Sequence, residues 1–242
     1  MNNDKVILHI LKWIKDYVKS SDYSIEALVV GVSGGIDSAL TSTLCAMTGI
    51  QTIVIQIPLK TKDLSLSKIH CDFLSSKYNN IKVYEVDLSD TFDKFHETCV
   101  ASNFINDLGF ANSKSRLRMM LLYQAAASFS GIVVGTGNKV EDFGVGFFTK
   151  YGDGGVDISP IADLTKSEVR SLSKELGISD KILKSSPADG LWDDDRTDEQ
   201  QLGLTYEELE DAMSNEDSIH RDKYMSIRKK NIHKMKAIPV CI

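Results

Sequence analysis

Gly31-Val32-Ser33-Gly34-Gly35-Ile36-Asp37-Ser38 is the stretch on which the fold turns. Ala27-Leu28-Val29-Val30 precedes it, a short apolar run rich in β-branched residues that predicts a strand. Ala39-Leu40-Thr41-Ser42-Thr43-Leu44-Cys45-Ala46-Met47 follows it and predicts a helix. The context is therefore strand, glycine turn, helix. The glycines let the backbone approach a ligand closely and adopt dihedrals that side chains forbid. Backbone N–H groups at the turn and helix start face outward, which suits an anion. Ser33 and Ser38 add hydroxyls. The chemistry predicts a phosphate cradle.

It is not the common P-loop, because no lysine occupies the turn. It is not the dinucleotide fingerprint either, because Gly-x-Gly-x-x-Gly is absent. Asp37 stands where the P-loop would carry its lysine. A carboxylate beside a phosphate repels it unless a cation bridges them, so Asp37 implies Mg²⁺.

Outward from this stretch, strands and helices alternate. A first helix is predicted over residues 4–19, strands over 27–32, 51–57, 81–86 and 132–134, and a fifth over 158–161. Between them helices are expected over about 37–48, 63–78, 89–101 and 114–129. This pattern predicts an α/β fold, a doubly wound and mostly parallel five-stranded sheet of order 3-2-1-4-5 with helices on both faces. Ligands bind such sheets at the carboxyl ends of the strands, at a switch in strand order. The cradle after the first strand and Gly135-Thr136-Gly137 after the fourth should meet there. The whole of 1–242 reads as a single domain. Residues 189–204, acidic and aperiodic, read as a mobile loop, and 216–236 as a helical basic tail.

Composition limits the function. The net charge of −6 argues against a nucleic-acid partner. No apolar run approaches the ~20 residues of a membrane span, and the N-terminus lacks a signal peptide's basic start and apolar run. Cys45, Cys71, Cys99 and Cys241 show no metal or redox spacing. Reduced thiols in a cytoplasmic protein are expected.

Ser33-Gly34-Gly35-x-Asp37-Ser38 resembles the pyrophosphatase loop of ATP-dependent adenylating enzymes, a group that includes NAD, GMP and asparagine synthetases and tRNA-modifying enzymes. A second stretch selects among them: Gly135-Thr136-Gly137-Asn138-Lys139-Val140-Glu141, then Gly146-Phe147-Phe148-Thr149-Lys150-Tyr151-Gly152-Asp153-Gly154-Gly155-Val156-Asp157. It closely resembles the pattern of ammonia-dependent NAD synthetases. The likeness continues through Pro160, Leu164-Thr165-Lys166, Pro187-Ala188-Asp189 and Asp198-Glu199, nearly the whole chain.

The resemblance implies ATP-dependent amidation of deamido-NAD by ammonia, through an acyl-adenylate, by a cytoplasmic homodimer. It implies that Asp37 and Glu141 hold Mg²⁺, and that Gly31, Val32, Ser33, Gly34, Gly35, Ile36, Asp37, Ser38, Thr136 and Lys166 bind ATP. Arg116, Lys150, Asp157, His233 and Lys234 would bind deamido-NAD, with Arg118 an equal candidate for the exposed arginine of its helix. Asp153, Asp157 and Lys166 are the catalytic candidates, and Asp153 or Asp157 would hold ammonium and take its proton. One departure stands out. The family has Thr or Ser directly before Ala-Asp, whereas this chain has Pro187, which offers no hydroxyl or N–H. Either Ser186 substitutes or the contact is lost. Another adenylating enzyme of the same loop class, or a non-catalytic adenine-nucleotide module, is the rival reading. No cysteine is marked as a reactive thiolate, so free ammonia rather than glutamine is the expected nitrogen donor.

Overall fold

The computed structural model describes residues 2–60, 63–192, 194 and 196–241. Strands β1 (Ala27–Gly31), β2 (Gln51–Gln56), β3 (Ile81–Glu85) and β4 (Gly131–Val133) form one parallel sheet of order β3-β2-β1-β4. Side chains alternate along β1. Leu28 and Val30 face α1 (Asn3–Ser20), α2 (Ile36–Met47) and α6 (Lys166–Glu175). Ala27 and Val29 face Met119, Leu122 and Ala126 of α5 (Asp107–Ser128). Both faces of the strand are buried, as doubly wound sheets require. Helix α3 (Ser65–Lys77) buries Cys71 and Leu74 against Val54 and Val32. Helix α4 (Ser89–Ala101) packs beside α5.

The expected fifth strand over 158–161 is not formed. Ile158 makes one parallel bridge to Val134 and the chain turns away. The reason is local. The Asp157 carboxylate accepts the Val133 N–H at 2.7 Å, taking a donor that a further strand would use. Pro160, two residues after Ile158, has no N–H to give. Helix α5 begins at Asp107 rather than 114, because Asn106 caps it by accepting from the Gly109 N–H at 2.7 Å.

Two stretches read as loop are helical. Lys139–Val145 is a π-helix. Within 189–204, α8 (Asp198–Leu202) is set by a capping box of Thr197 and Gln200. Asp193 and Asp195 lie outside the described residues. Short α7 (Asp180–Leu183) precedes this region, and α9 (Tyr206–Ser214) and α10 (Arg221–Met235) follow it. The π-helix, α8, α9 and α10 share a satellite core of Val140, Val145, Leu202, Tyr206, Leu209 and Tyr224. This core lies beside the carboxyl ends of β1 and β4.

Candidate active site

Strand β1 and its neighbour β4 bring the two glycine stretches together. Gly34 adopts φ +94°, and a Cβ there would sit 2.9 Å from the Ser67 backbone nitrogen. Gly31, Val32 and Ile36 carry the chain from strand to helix. Ser33 and Ser38 tie the turn: their hydroxyls lie 3.2 Å apart, Gly35 N–H donates to Ser33 Oγ, and Ser38 Oγ–H donates to Gly35 O. No side chain caps α2. Its first N–H groups are left for an anion, in the direction the helix dipole favours.

Asp37 sits in the first turn of α2 and Glu141 on the π-helix. Lys166, 1% exposed, reaches between them from the start of α6. Its Nζ donates to Asp37 Oδ2 at 2.5 Å and to Glu141 Oε1 at 2.9 Å. Asn138 aligns the pair: its Oδ1 accepts from the Val140 and Glu141 N–H groups, and its Nδ2 donates to Asp37 Oδ1 at 3.3 Å. Burial alone would push the lysine down, but the two carboxylates outweigh it and hold the ammonium above its ordinary value. Burial likewise works against ionised Glu141, yet Lys166 and the Tyr206 hydroxyl hold its carboxyl below the usual range. Asp37 is raised by burial, with Glu141 adding to the effect against the pull of Lys166. Two hard carboxylate oxygens from separate elements thus converge on one cationic point. That donor set fits Mg²⁺, which takes one or two carboxylates and completes its shell with phosphates and water.

Besides Asn138, three residues here carried no assigned role in the sequence. Tyr206 donates its hydroxyl to Glu141 and lies 3.1 Å from Asp198 Oδ2. Asp198 is 6% exposed. Asp142, pushed well up by burial and by Glu141, packs against Gly137 so closely that a Cβ there would meet its carboxylate. The Thr197…Gln200 and Thr205…Glu208 capping boxes were the available signal for Asp198 and Tyr206, since each marks a helix start beside the residue.

The remaining candidates spread along the same edge. Asp153 Oδ1 accepts from Ser115 Oγ at 2.6 Å and from Thr149 N at 3.0 Å. Asp157 accepts from Tyr123 as well as from Val133, and the Tyr123 hydroxyl is pushed up to about 12 by burial and by that carboxylate. Arg116 is the exposed arginine of α5 and donates to Lys150 O at 3.2 Å. Arg118 instead turns inward to Ile57 O. Lys150 lies over the Tyr151 ring and Lys234 over the Phe148 ring, where Lys234 also donates to Phe148 O at 2.7 Å. His233 is not brought in with Lys234: it is exposed and turns Nδ1 to Lys230 O in its own helix. Thr136 is half-buried just beyond β4. Ser186 is exposed before Pro187, whose carbonyl accepts from Asp198 N.

An uncapped helix start and a paired-carboxylate point at one sheet edge define the class, an α/β protein built to handle phosphates. A family model for NAD synthase matches residues 6–240, and the chain belongs to that family. It is 35% identical over 240 residues to the NH(3)-dependent NAD(+) synthetase of Finegoldia magna, covering 98% of this chain and 95% of that one. It is 35% identical over 261 residues to the protein of the same name from Methanosarcina acetivorans, covering 99% and 98%. Among solved structures, an NMN synthetase from Francisella tularensis matches with a TM-score of 0.91 at 29% identity, covering 100% of this chain and 99% of that one. The NH3-dependent NAD synthetase from Campylobacter jejuni matches with a TM-score of 0.78 at 25% identity over 100% of both.

Proposed function

We propose that this chain catalyses the ATP-dependent amidation of deamido-NAD by ammonia, giving NAD, AMP and pyrophosphate. The observation that carries the reading is the convergence of Asp37, Glu141 and Lys166 beside the uncapped start of α2. The nicotinate carboxylate attacks the α-phosphorus of ATP, pyrophosphate leaves, and ammonia then displaces AMP from the acyl-adenylate. The N–H groups at the start of α2 hold phosphate oxygens, with Thr136 beside them and Ser186 supplying the hydroxyl that Pro187 lacks. Asp37 and Glu141 would hold Mg²⁺, which would supply charge neutralisation to the phosphates. Lys166 contributes its ammonium to the same phosphates. Arg116, Lys150 and Lys234 bind deamido-NAD through their positive charge. Asp153, fixed by Ser115 and Thr149, holds the incoming ammonium and takes its proton, while Asp157, pinned to Val133, orients the dinucleotide.

Homodimerisation belongs to the same proposal. Phe95, Phe104, Ile105, Leu108 and Met120 on α4, α5 and the turn between them are all exposed, and a second copy would cover them. A single chain of 1–242, acting in the cytoplasm, completes the reading.

The test is to mix the purified chain with ATP, Mg²⁺, ammonium and deamido-NAD, and to follow NAD and pyrophosphate. One of each per turnover is expected, with negligible synthesis from glutamine once contaminating ammonia is removed. The 0.91 TM-score to a protein named as an NMN synthetase favours a second reading, in which the mononucleotide is the substrate. Nicotinate mononucleotide run in parallel decides between them, and a tenfold higher kcat/KM for it would move the assignment.

A further inference from the structure

Tyr206 is 1% exposed and stands first in α9, directly after the Thr205 cap. Its ring lies under the Lys166 ammonium, with Nζ 4.6 Å from the centroid, a distance at which cation and ring attract. Its hydroxyl touches Glu141 Oε1 and lies 3.1 Å from Asp198 Oδ2. One side chain therefore contacts both the cation and a carboxylate of the proposed phosphate site, and ties them to α8.

The proton count at this point is restrictive. A phenol has one proton to give and two carboxylates within reach. It donates to Glu141, the closer partner. Asp198 then faces the phenol oxygen, which repels an ionised carboxylate and welcomes a protonated one as donor. Two observations agree with a protonated Asp198. Its Oδ1 is buried with no hydrogen-bond partner among the described residues. Burial, with Glu141 adding to it, pushes its carboxyl up to about 7. The hydrogen bonds then run one way, from Asp198 to Tyr206 to Glu141, and Glu141 stays ionised to meet a cation.

We propose that Tyr206 is a positioning residue of this site: its ring seats Lys166, its hydroxyl fixes Glu141, and Asp198 sets the direction in which that hydroxyl points. The proposal rests on the roles given above to Glu141 and Lys166. Its test reads metal binding rather than NAD formation, so the two readings fail separately. A chain that binds metal and nucleotide as described but makes no NAD would overturn the function and leave the positioning role standing.

The experiment titrates Mn²⁺, followed by its EPR signal, into the full chain holding a non-hydrolysable ATP analogue. Tyr206→Phe keeps the ring and removes only the hydroxyl. It is expected to weaken Mn²⁺ binding about tenfold, the worth of one hydrogen bond to a charged group, with the melting temperature near the parent's. Asp198→Asn, whose amide donates to the phenol oxygen, should bind Mn²⁺ at least threefold more tightly than Asp198→Ala. A folded Tyr206→Phe with the parent's Mn²⁺ constant would overturn the proposal. If Tyr206→Phe does not fold, the Asp198 pair decides, and equal constants for Asn and Ala would overturn it.

Discussion

At the residue scale, charge pairing governs the site. A lysine as buried as Lys166 is tolerated because two carboxylates and an aromatic face surround it. The same pair is proposed to hold Mg²⁺, so the three residues act as one unit. Asp37→Asn and Glu141→Gln should each nearly abolish turnover while the circular dichroism spectrum is kept. The double variant should lose little more than either single one. Strictly additive losses in kcat would count against a shared ion. His70 offers a separate test. It is 1% exposed behind the glycine turn, with Nε2 2.8 Å from Ser42 Oγ and Nδ1 unpartnered among the described residues. Burial lowers its pKa from 6.5 to about 4. The unfolded chain therefore binds this proton more readily than the folded one. Stability is fully present above pH 6.5 and falls as the pH drops towards 4, by about 3 kcal/mol from this group. Urea unfolding at pH 7 and pH 4 should show a loss smaller by roughly that amount in His70→Gln.

At the element scale, helix ends do the positioning. Helix α2 starts without a side-chain cap because Ser33 in the turn before it and Ser38 in its own first turn bond to each other and to Gly35. The π-helix is held at its far end by α10: Arg228 donates to the Phe143 and Gly144 carbonyls, and Asn231 Nδ2 donates to Val145 O at 3.0 Å. Cationic and amide donors on terminal carbonyls satisfy groups the helix cannot pair internally. The wide turn gives the segment one more residue per turn's length than an α-helix needs, and Glu141 and Asp142 both face the site edge. The glycine turn yields a prediction at this scale. Gly34→Ala puts a Cβ at φ +94° and against Ser67 N. It should cost about 2 kcal/mol, lower the melting temperature by about 5 °C, and weaken ATP binding measured by calorimetry.

At the scale of the whole molecule, the carboxyl edge of the sheet is where the main layers and the satellite core meet. Residues 189–192 and 196–202 lie over this edge, with Asp198 and Leu202 anchored in the satellite core. Gln201 bridges Trp192 and Asp189, and Lys114 donates to Leu191 O. Amide exchange in 189–204 should slow when ATP and deamido-NAD bind together, as expected of a segment that keeps water from an acyl-adenylate. Unchanged exchange with both ligands present would refute this. For the proposed dimer, sedimentation velocity should show a two-chain species that Phe104→Asp dissociates.

The pairing of Asp37 with Glu141 came only from the family resemblance, whereas the order of elements and the phosphate-receptive turn were legible in the chain itself. Each is written locally, in strand-length apolar runs, glycines at a turn and motif residues a few positions apart. Strand β1 next to β4 also followed from topology, and the structure places them side by side. Capping boxes at Thr197 and Thr205 were equally local, and reading them would have turned part of the expected loop into helix. What only the tertiary structure decided is which side chains share a point in space. Lys166 is 25 residues from Glu141 and 129 from Asp37, yet its nitrogen touches both. Tyr206 lies in an amphipathic helix whose buried face looks like ordinary core until the fold turns its hydroxyl onto Glu141. The fifth strand was lost the same way, to a side chain of Asp157 that took a backbone donor. Periodicity records which face is buried, and only packing of distant elements records what that face meets.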